Sequence, residues 1–314
     1  MRRVGVGLLL TVLREANIFS KPLSRIASVF IALLVTFFWS TSFIIIKWGL
    51  KEIPPLTFAG LRYVLAFVCL LPFMLTKEKV AEVKKLDRKD WFQLSVLGLL
   101  FYTFTQGTQF IGLSLLPAVT VSLLLNFTPI IVAVMGIFLL SERPSILQWL
   151  GASLFIVGIL TYFYPADFSG NKILGIIVMV IGVFSNAFSS VLGRGINRSR
   201  KFHPLTVTVV SMGIGSIIML IIGIAAQGLP PLSLTNILFL VWLSVVNTAL
   251  AFTLWNLSLR TLTAMESSII NGTMLIQIAF LAWIFIGEPV TWQEGIGMFI
   301  AAAGAVVVQV KRRN

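Results

Sequence analysis

Long apolar segments dominate the pattern of hydrophobic and polar positions along this chain of 314 residues. Ten segments each have about 20 mostly apolar residues, the length that an α-helix needs to cross the hydrocarbon core of a bilayer. They cover residues 27–49, 56–76, 91–111, 117–140, 146–164, 172–193, 204–226, 234–256, 263–287 and 292–310. Because these segments are continuously apolar rather than alternating, the pattern predicts an all-α membrane protein with ten transmembrane helices, not a barrel of strands.

The composition supports a membrane protein and excludes several kinds of site. Hydrophobic residues make up 58% of the chain and charged residues 11%, whereas soluble domains have about 25% charged residues. The single cysteine, Cys69, excludes an internal disulfide and a zinc cluster. The chain has no Gly-rich phosphate loop of the Walker type, and its carboxylates lie in connectors or near span ends. We therefore expect no cofactor, no metal and no direct use of ATP.

The basic residues indicate how the chain is oriented. The net charge is +13, from 24 Lys and Arg residues against 11 Asp and Glu residues. If the N-terminus is cytoplasmic, 20 of the 24 basic residues lie in cytoplasmic segments. Lys47, Lys51 and Lys172 then lie outside, and Arg62 lies within the second span. This bias predicts a multi-pass protein of the cell membrane with both termini in the cytoplasm. Since the basic residues lie between spans and form no single face, they do not indicate a nucleic-acid partner.

The chain ends fall outside the predicted spans. Arg2 and Arg3 precede a short apolar run, as in a secretory leader, but Arg14 and Glu15 follow at once. We interpret residues 1–26 as a cytoplasmic or interfacial segment and residues 311–314 as a basic cytoplasmic tail.

An internal repeat relates the two halves of the chain, residues 27–164 and 172–310. At an offset of 146 residues, matching positions include Ser122 and Ser268, Ala133 and Ala279, Glu142 and Glu288, Gly151 and Gly297, and Gly158 and Gly304. Each predicted repeat has five spans, an odd number, so the second copy is expected upside down relative to the first. Inverted repeats of this kind are typical of secondary transporters, whose substrate site lies near the bilayer midplane.

Several short motifs carry a resemblance to a known family. They are Trp39 to Phe43, Lys47 to Leu50, Pro54 to Arg62, Asn126 to Pro129, Ser141 to Pro144, Gln148 to Gly151, Gly287 to Pro289 and Gln293 to Gly297. In these the chain resembles the EamA family of the drug/metabolite transporter superfamily. The resemblance implies a ten-helix inverted repeat that exports or exchanges metabolites, often amino acids. The second repeat departs from the first. With Pro55 to Thr57 matched to Pro204 to Thr206, an offset of 149, Ser211 stands where Arg62 would fall, and at the offset of 146 Leu275 stands where Pro129 would fall.

Polar side chains within the apolar spans are candidates for a shared cavity, because polar groups are costly in lipid. Amides and hydroxyls supply donors and acceptors without a buried net charge, which suits an uncharged or zwitterionic solute. The predicted cavity residues are Trp39, Ser40, Ser42, Tyr102, Gln106, Asn126, Asn186, Asn247, Trp255 and Asn271. The competing interpretations are close helix packing on the same faces and, for a tryptophan, a place in the headgroup belt.

Two further residues have open roles. Arg62 can hold a substrate carboxylate or phosphate through paired hydrogen bonds. The interpretation that we prefer from the sequence is that Arg62 extends to the outer interface or pairs with Glu52. Pro129 removes a backbone hydrogen bond and should kink its helix, either as a hinge or as a static bend.

The sequence favours a transporter of small polar metabolites that works by alternating access. A carrier of sugar phosphates or nucleotide-type metabolites is the alternative within the superfamily, since a fold does not name a substrate. A channel and an intramembrane enzyme are less well supported, because no Ser-His, Ser-Lys or metal-binding cluster lies at membrane depth. The substrate, the coupling ion and the choice between monomer and homodimer are left open.

Overall fold

The computed structural model describes residues 24–140, 145–164, 170–198, 201–258, 261–262 and 264–309. The regular elements in these ranges are all helical. They are α1 (Arg25–Gly49), α2 (Pro55–Leu70), α3 (Lys77–Lys84), α4 (Arg88–Gly98), α5 (Gln106–Leu115), α6 (Ala118–Leu125), α7 (Thr128–Leu140), α8 (Ile146–Phe163), α9 (Asn171–Arg198), α10 (Pro204–Gln227), α11 (Leu234–Ser244), α12 (Ala251–Ser258), α13 (Ala264–Ile286) and α14 (Trp292–Gln309). The predicted tail and all but the end of the predicted N-terminal segment lie outside the described residues.

Two π-helical segments and one short 3-10 turn join some of these helices. The segment Leu99–Thr105 joins α4 to α5, and the segment Val245–Leu250 joins α11 to α12. The turn Leu71–Met74 continues α2. The short helix α3 has no buried residue and follows this turn as a polar element, in a region that the sequence assigned to a connector.

Five of the described helices are long and apolar enough to cross a membrane. They are Arg25–Gly49, Pro55–Met74, Ile146–Phe163, Asn171–Asn197 and Pro204–Gln227. Three of the other predicted spans are divided by π-helical segments or by a break at Asn126, and the remaining two hold α13 and α14. The all-α membrane fold is thus confirmed, whereas the count of ten spans stays a prediction.

The outside of the helix bundle is apolar. Large hydrophobic side chains such as Phe30, Leu160 and Ile221 are more than 60% exposed. In a membrane these side chains contact lipid, so their exposure is not unfavourable. Fully buried side chains such as Phe58 and Phe110 form the core, where their rings pack edge to face.

Glycines let helices of the two halves approach closely. On α8, a Cβ atom at Gly158 would lie 2.7 Å from Gly297 O, and on α14 a Cβ atom at Gly304 would lie 2.7 Å from Gly151 O. No real Cβ atom tolerates such a distance, so α8 and α14 touch backbone to backbone. Small residues at such crossings are the usual means by which helices associate in lipid.

The N-terminus of α4 is capped and then bound by the second half of the chain. Asp87 accepts a hydrogen bond from the backbone N–H of Asp90 at 2.8 Å, and Lys201 Nζ lies 3.1 Å from Asp87 Oδ2 and 2.7 Å from Asp90 Oδ2. The backbone donation from Asp90, aided by the Lys201 ammonium, holds the pKa of Asp87 below its ordinary value. The hydrogen bond to Asp90 in turn raises the pKa of Lys201.

The N-terminus of α11 has a matching arrangement, now bound by the first half of the chain. Ser233 Oγ accepts from the backbone N–H of Asn236 at 3.2 Å. Glu52 Oε2 accepts from Ser233 Oγ at 3.2 Å and from Asn236 Nδ2 at 2.5 Å. One end of the bundle is therefore joined through Lys201 and the other through Glu52.

A further contact joins helices at the end of the bundle that holds Glu52. Glu288 Oε1 lies 3.0 Å from Lys47 Nζ, and Glu288 Oε2 accepts from the backbone N–H of Ala118 at 2.8 Å. Glu288 thereby ties the end of α1 to the start of α6. We call this end of the bundle the Lys47 end.

Candidate functional site

A cavity of about 370 Å³ lies between the two halves of the bundle. It is lined by Trp39, Ser42, Phe43, Arg62, Tyr63, Phe101, Thr105, Gln106, Gln109, Ser122, Leu125, Asn126, Thr128, Pro129, Asn186, Asn247, Phe252, Asn271 and Met274. Seven of the ten predicted cavity residues are among them, together with Arg62 and Pro129. Polar groups from distant parts of the sequence therefore meet in one place.

The two π-helical segments shape this cavity. The backbone hydrogen bonds of a π-helical segment join residues five apart, and in each segment a threonine hydroxyl donates to the carbonyl five residues earlier. Thr105 Oγ1 donates to Leu100 O at 2.8 Å, and Thr248 Oγ1 donates to Leu243 O at 2.8 Å. The wider turns carry Thr105 and Asn247 into the cavity wall. Hydropathy does not report such a change of helical register, so the sequence did not predict these segments.

Asn247 is fully buried and connects its π-helical segment to α1. Its Nδ2 donates to Phe38 O and, at 3.3 Å, to Thr41 Oγ1. Trp39 Nε1 donates to the backbone carbonyl of Asn247 at 3.2 Å. Asn247 Oδ1 has no hydrogen-bond partner among the described residues. Asn247 thus fixes one cavity wall and leaves one buried acceptor unused.

Arg62 lies inside the bundle rather than at its surface. The residue is 5% exposed, and Nη2 donates to Thr248 Oγ1 at a long 3.4 Å. The guanidinium carbon lies 5.0 Å from the ring centre of Tyr63 and 5.9 Å from that of Phe110. No carboxylate of the described residues pairs with Arg62, and its Nε has no hydrogen-bond partner there.

The interpretation of Arg62 preferred from the sequence is therefore wrong. Glu52 is bound to Ser233 and Asn236 instead. An arginine that is 5% exposed does not extend to the interface either. The aromatic rings of Tyr63 and Phe110 cover the guanidinium and hold it within the bundle.

Internal hydrogen bonds hold several other polar groups of the cavity. Tyr63 Oη donates to Gln106 Oε1 at 2.6 Å. Asn186 Nδ2 donates to Thr128 Oγ1 at 3.1 Å, and Asn126 Nδ2 donates to its own helix at Ser122 O, 2.8 Å away. Neutral groups oriented in this way can offer their remaining donors and acceptors to a polar solute.

Three predicted cavity residues lie elsewhere. Ser40 Oγ is 2.8 Å from Thr36 O and 3.0 Å from Gln277 Oε1, so it faces α13. Tyr102 is 6% exposed and packs its ring against Tyr63. Trp255 stacks obliquely on Trp39, with ring centres 5.2 Å apart. A polar residue in a span can face a cavity or a neighbouring helix, and the sequence does not distinguish the two.

Pro129 lies just after a break in the predicted fourth span. The helix α6 ends at Leu125 and α7 begins at Thr128, so Pro129 is the second residue of a new helix. A proline in a first helical turn removes no intrahelical hydrogen bond. The expected interruption therefore exists, but it precedes the proline. Whether this break acts as a hinge stays a prediction.

The apolar part of the cavity wall was not predicted from the sequence. Phe43, Phe101, Phe252 and Met274 contribute to it. In a chain with so many apolar residues, nothing in the sequence separates an apolar cavity residue from one that faces lipid.

A second cavity, of about 510 Å³, lies among the ends of α5, α8 and α14. Tyr162 and Thr120 share a 2.9 Å hydrogen bond on its wall, and Lys172 and Glu294 also line it. Its rim includes Trp292, which is 92% exposed. Since none of the predicted cavity residues lines this space, we take the first cavity as the candidate site.

Comparison with known proteins gives consistent results. A family model described as the EamA-like transporter family matches residues 26–164 and 173–310. An uncharacterized transporter of Archaeoglobus fulgidus is 26% identical over 90% of this chain and 96% of that protein. A probable amino-acid metabolite efflux pump of Salmonella typhimurium is 27% identical over 88% of this chain and 93% of its own.

Two further comparisons extend these results. An S-adenosylmethionine/S-adenosylhomocysteine transporter of Chlamydia muridarum is 25% identical over 89% of this chain and 89% of that protein. A crystal structure of another protein shares the fold with a TM-score of 0.65, at 16% identity, over 90% of this chain and 97% of that one.

Proposed function

Because this chain belongs to the EamA-like transporter family, we propose that it moves small polar metabolites, such as amino acids, across the cell membrane by alternating access, as an exporter or exchanger. One observation carries the proposal. A single cavity is lined by polar side chains from both halves of a membrane-embedded bundle, with Trp39 and Arg62 from one half and Asn186 and Asn247 from the other. Such a site between two repeats is where secondary transporters bind their substrates.

Two features support ten spans in an inverted repeat. The family model matches the chain twice, close to the predicted repeat boundaries. The π-helical segments Leu99–Thr105 and Val245–Leu250 begin 146 positions apart, which is the offset found in the sequence. A local irregularity that recurs at the repeat offset favours duplication over coincidence.

The contact between α8 and α14 has the matching symmetry. Gly158 lies against Gly297, and Gly304 lies against Gly151. Gly158 and Gly304 are 146 positions apart, as are Gly151 and Gly297. The repeat offset therefore relates each of these two contacts to the other. In the proposed topology α8 and α14 are antiparallel, and a two-fold axis that exchanges them lies in the membrane plane, as inversion requires.

The capped helices α4 and α11, at opposite ends of the bundle, are related by the same offset of 146 positions. The cap residues Asp87 and Ser233 are 146 positions apart, and so are Asp90 and Asn236. One cap is bound by Lys201 and the other by Glu52. The excess of basic residues on one side supports assigning the Lys201 end to the cytoplasm.

The closed Lys47 end supports alternating access. Glu288 bridges Lys47 and the start of α6 there. Asn271 and Phe252, which line the cavity nearer the opposite end, are exposed. This arrangement fits a carrier closed on the outside, in which Glu288 must release Lys47 before the cavity opens outward.

A carrier of sugar phosphates is less well supported by this cavity. A phosphate monoester carries about two negative charges at neutral pH. Arg62 is the charged residue among the described residues of the wall. One positive charge does not balance two negative charges in a site of low dielectric.

Counterflow tests the proposal. Metabolite pools inside and outside cells that overproduce the chain are compared with those of empty-vector cells to find the solutes that it moves. Proteoliposomes that contain the purified protein and are preloaded with such a solute should then take up the labelled solute faster than proteoliposomes without preloaded solute. The rate of uptake should saturate as the external solute concentration rises. Unchanged pools, or an unsaturable flux that preloading does not stimulate, would contradict the proposal.

Asn126→Ala tests whether the cavity is the transport site. The change removes an amide from the cavity wall and should lower transport about tenfold, the effect of losing roughly 1.4 kcal/mol. Asn197→Ala is the matched control, because Asn197 Nδ2 also donates to the carbonyl four residues earlier, at 2.8 Å, but is exposed. If the two variants transport alike at equal membrane levels, Asn126 has no role in binding.

A further inference from the structure

Arg62 is an arginine enclosed without a counter-charge. It is 5% exposed, and the described residues around it provide aromatic rings and one hydroxyl but no carboxylate. A buried cation without a partner is costly, and proteins retain such groups where they have a use.

The position of Arg62 is fixed on several sides. Ser244 Oγ donates to the backbone carbonyl of Arg62 at 2.8 Å. Tyr63, whose ring lies against the guanidinium, is itself held by Gln106. The side chain therefore does not have to order itself when a ligand arrives, which favours binding.

One edge of the guanidinium has unused hydrogen-bonding capacity. Nε has no partner, and Nη2 has a single long hydrogen bond of 3.4 Å to Thr248. These two nitrogens form one side of the guanidinium fork, whose spacing matches the two oxygens of a carboxylate at about 2.7–2.9 Å. A carboxylate can replace the weak bond to Thr248 with two charge-assisted bonds.

We infer that the transported solute carries a carboxylate and that Arg62 binds it. The inference rests on the proposed function and narrows its substrate class to organic acids and zwitterions. A single negative charge matches the single positive charge of the described wall, and the remaining amide and hydroxyl groups bind the polar remainder of the solute. Cationic amines without an acid group and uncharged sugars are poor ligands of this cavity.

The test compares each acid with its own amide on the full-length protein purified in detergent. The probes are the common L-amino acids and their carboxamides, and the readout is the ligand concentration that gives half of the maximal rise in melting temperature. At least one amino acid should stabilise the wild type, with its carboxamide binding at least about tenfold more weakly, since the charge-assisted bonds are lost.

Variants at position 62 identify the residue responsible. In Arg62→Gln the acid and the amide should differ by less than twofold, while Arg62→Lys should keep part of the preference for the acid. If Arg62→Gln does not fold, the comparison on the wild type decides alone. Equal binding of acids and amides, no stabilisation by any acid, or an acid preference that persists in Arg62→Gln would overturn the inference. Counterflow of a solute that carries no carboxylate would overturn it while leaving the proposed function intact.

Discussion

The helices α2 and α10 occupy the same place in the two halves of the sequence, but they differ at the position of Arg62. Its counterpart at an offset of 149 residues is Ser211, which is 1% exposed and donates to Val207 O at 2.7 Å. The backbone of Ser211 lies directly against Gly98 of α4. The first half thus uses this position for a charge, and the second half uses it for close packing.

The difference separates two demands on a duplicated chain. Features that hold the bundle together recur in both halves, as with Gly158 and Gly304 or the caps Asp87 and Ser233. The charge that faces the cavity occurs in one half, at Arg62. A small asymmetric solute bound in the proposed site would contact both halves at once and would need different groups from each. Duplication therefore preserves packing, while the chemistry of the site diverges.

The largest expected effect comes from placing the charge in the wrong half. Ser211→Arg puts a large cation where the backbone of Gly98 leaves no room for it. A charge at the middle of a membrane helix costs about 3 kcal/mol, and overpacking adds to that cost. We expect little monodisperse protein by size-exclusion chromatography in detergent, with Ser211→Ala near the wild type. A well-folded Ser211→Arg protein would mean that the two halves do not differ in packing at this position.

Much of the fold could be predicted from the sequence, because hydropathy reports the length of a span. The predicted spans 27–49 and 204–226 match the helices Arg25–Gly49 and Pro204–Gln227 within two residues. The divided spans were less well predicted. The π-helical segment Leu99–Thr105 and the break before Pro129 depend on backbone register, which has no signature in hydropathy.

The site was predicted in part, for a different reason. Asn126 and Asn247 were identified because an amide in an apolar span is conspicuous. The same reasoning included Ser40, which faces α13 instead. The environment of Arg62 could not be predicted from the sequence, because it depends on Phe110 and Thr248, which are distant from Arg62 in the chain.

The next largest effect should be equal in the two halves. Gly158→Ala and Gly304→Ala each place a Cβ atom against the backbone of the facing helix, and each should destabilise the protein by about 1–3 kcal/mol. Gly295→Ala, in the same helix as Gly304, is the control, because no atom lies within 4 Å of the added Cβ. Thermal unfolding in detergent measures all three. Clearly unequal losses of stability in Gly158→Ala and Gly304→Ala would argue against a two-fold relation between α8 and α14.

The smallest effect distinguishes the two ends of the bundle by their dependence on pH. Lys201→Gln removes the ammonium beside Asp87 and Asp90, whereas Glu52→Gln keeps an acceptor for Ser233 and Asn236. The pKa of Asp87 is lowered by folding, so its contribution to stability is present above the ordinary value of 3.8 and is lost as pH falls through the lowered one.

The pKa of Lys201 is raised, so its contribution is present below 10.5 and is lost only as pH rises above that value. Between these limits Lys201→Gln should lower the melting temperature by about 2 °C, because the pair of Lys201 and Asp87 is exposed and the buried carboxylate of Asp90 keeps the backbone N–H of Asp87 as a donor. The difference from the wild type should shrink as pH falls below 3.8. A difference that stays constant while Asp87 becomes protonated would show that Lys201 does not act through the charge of Asp87.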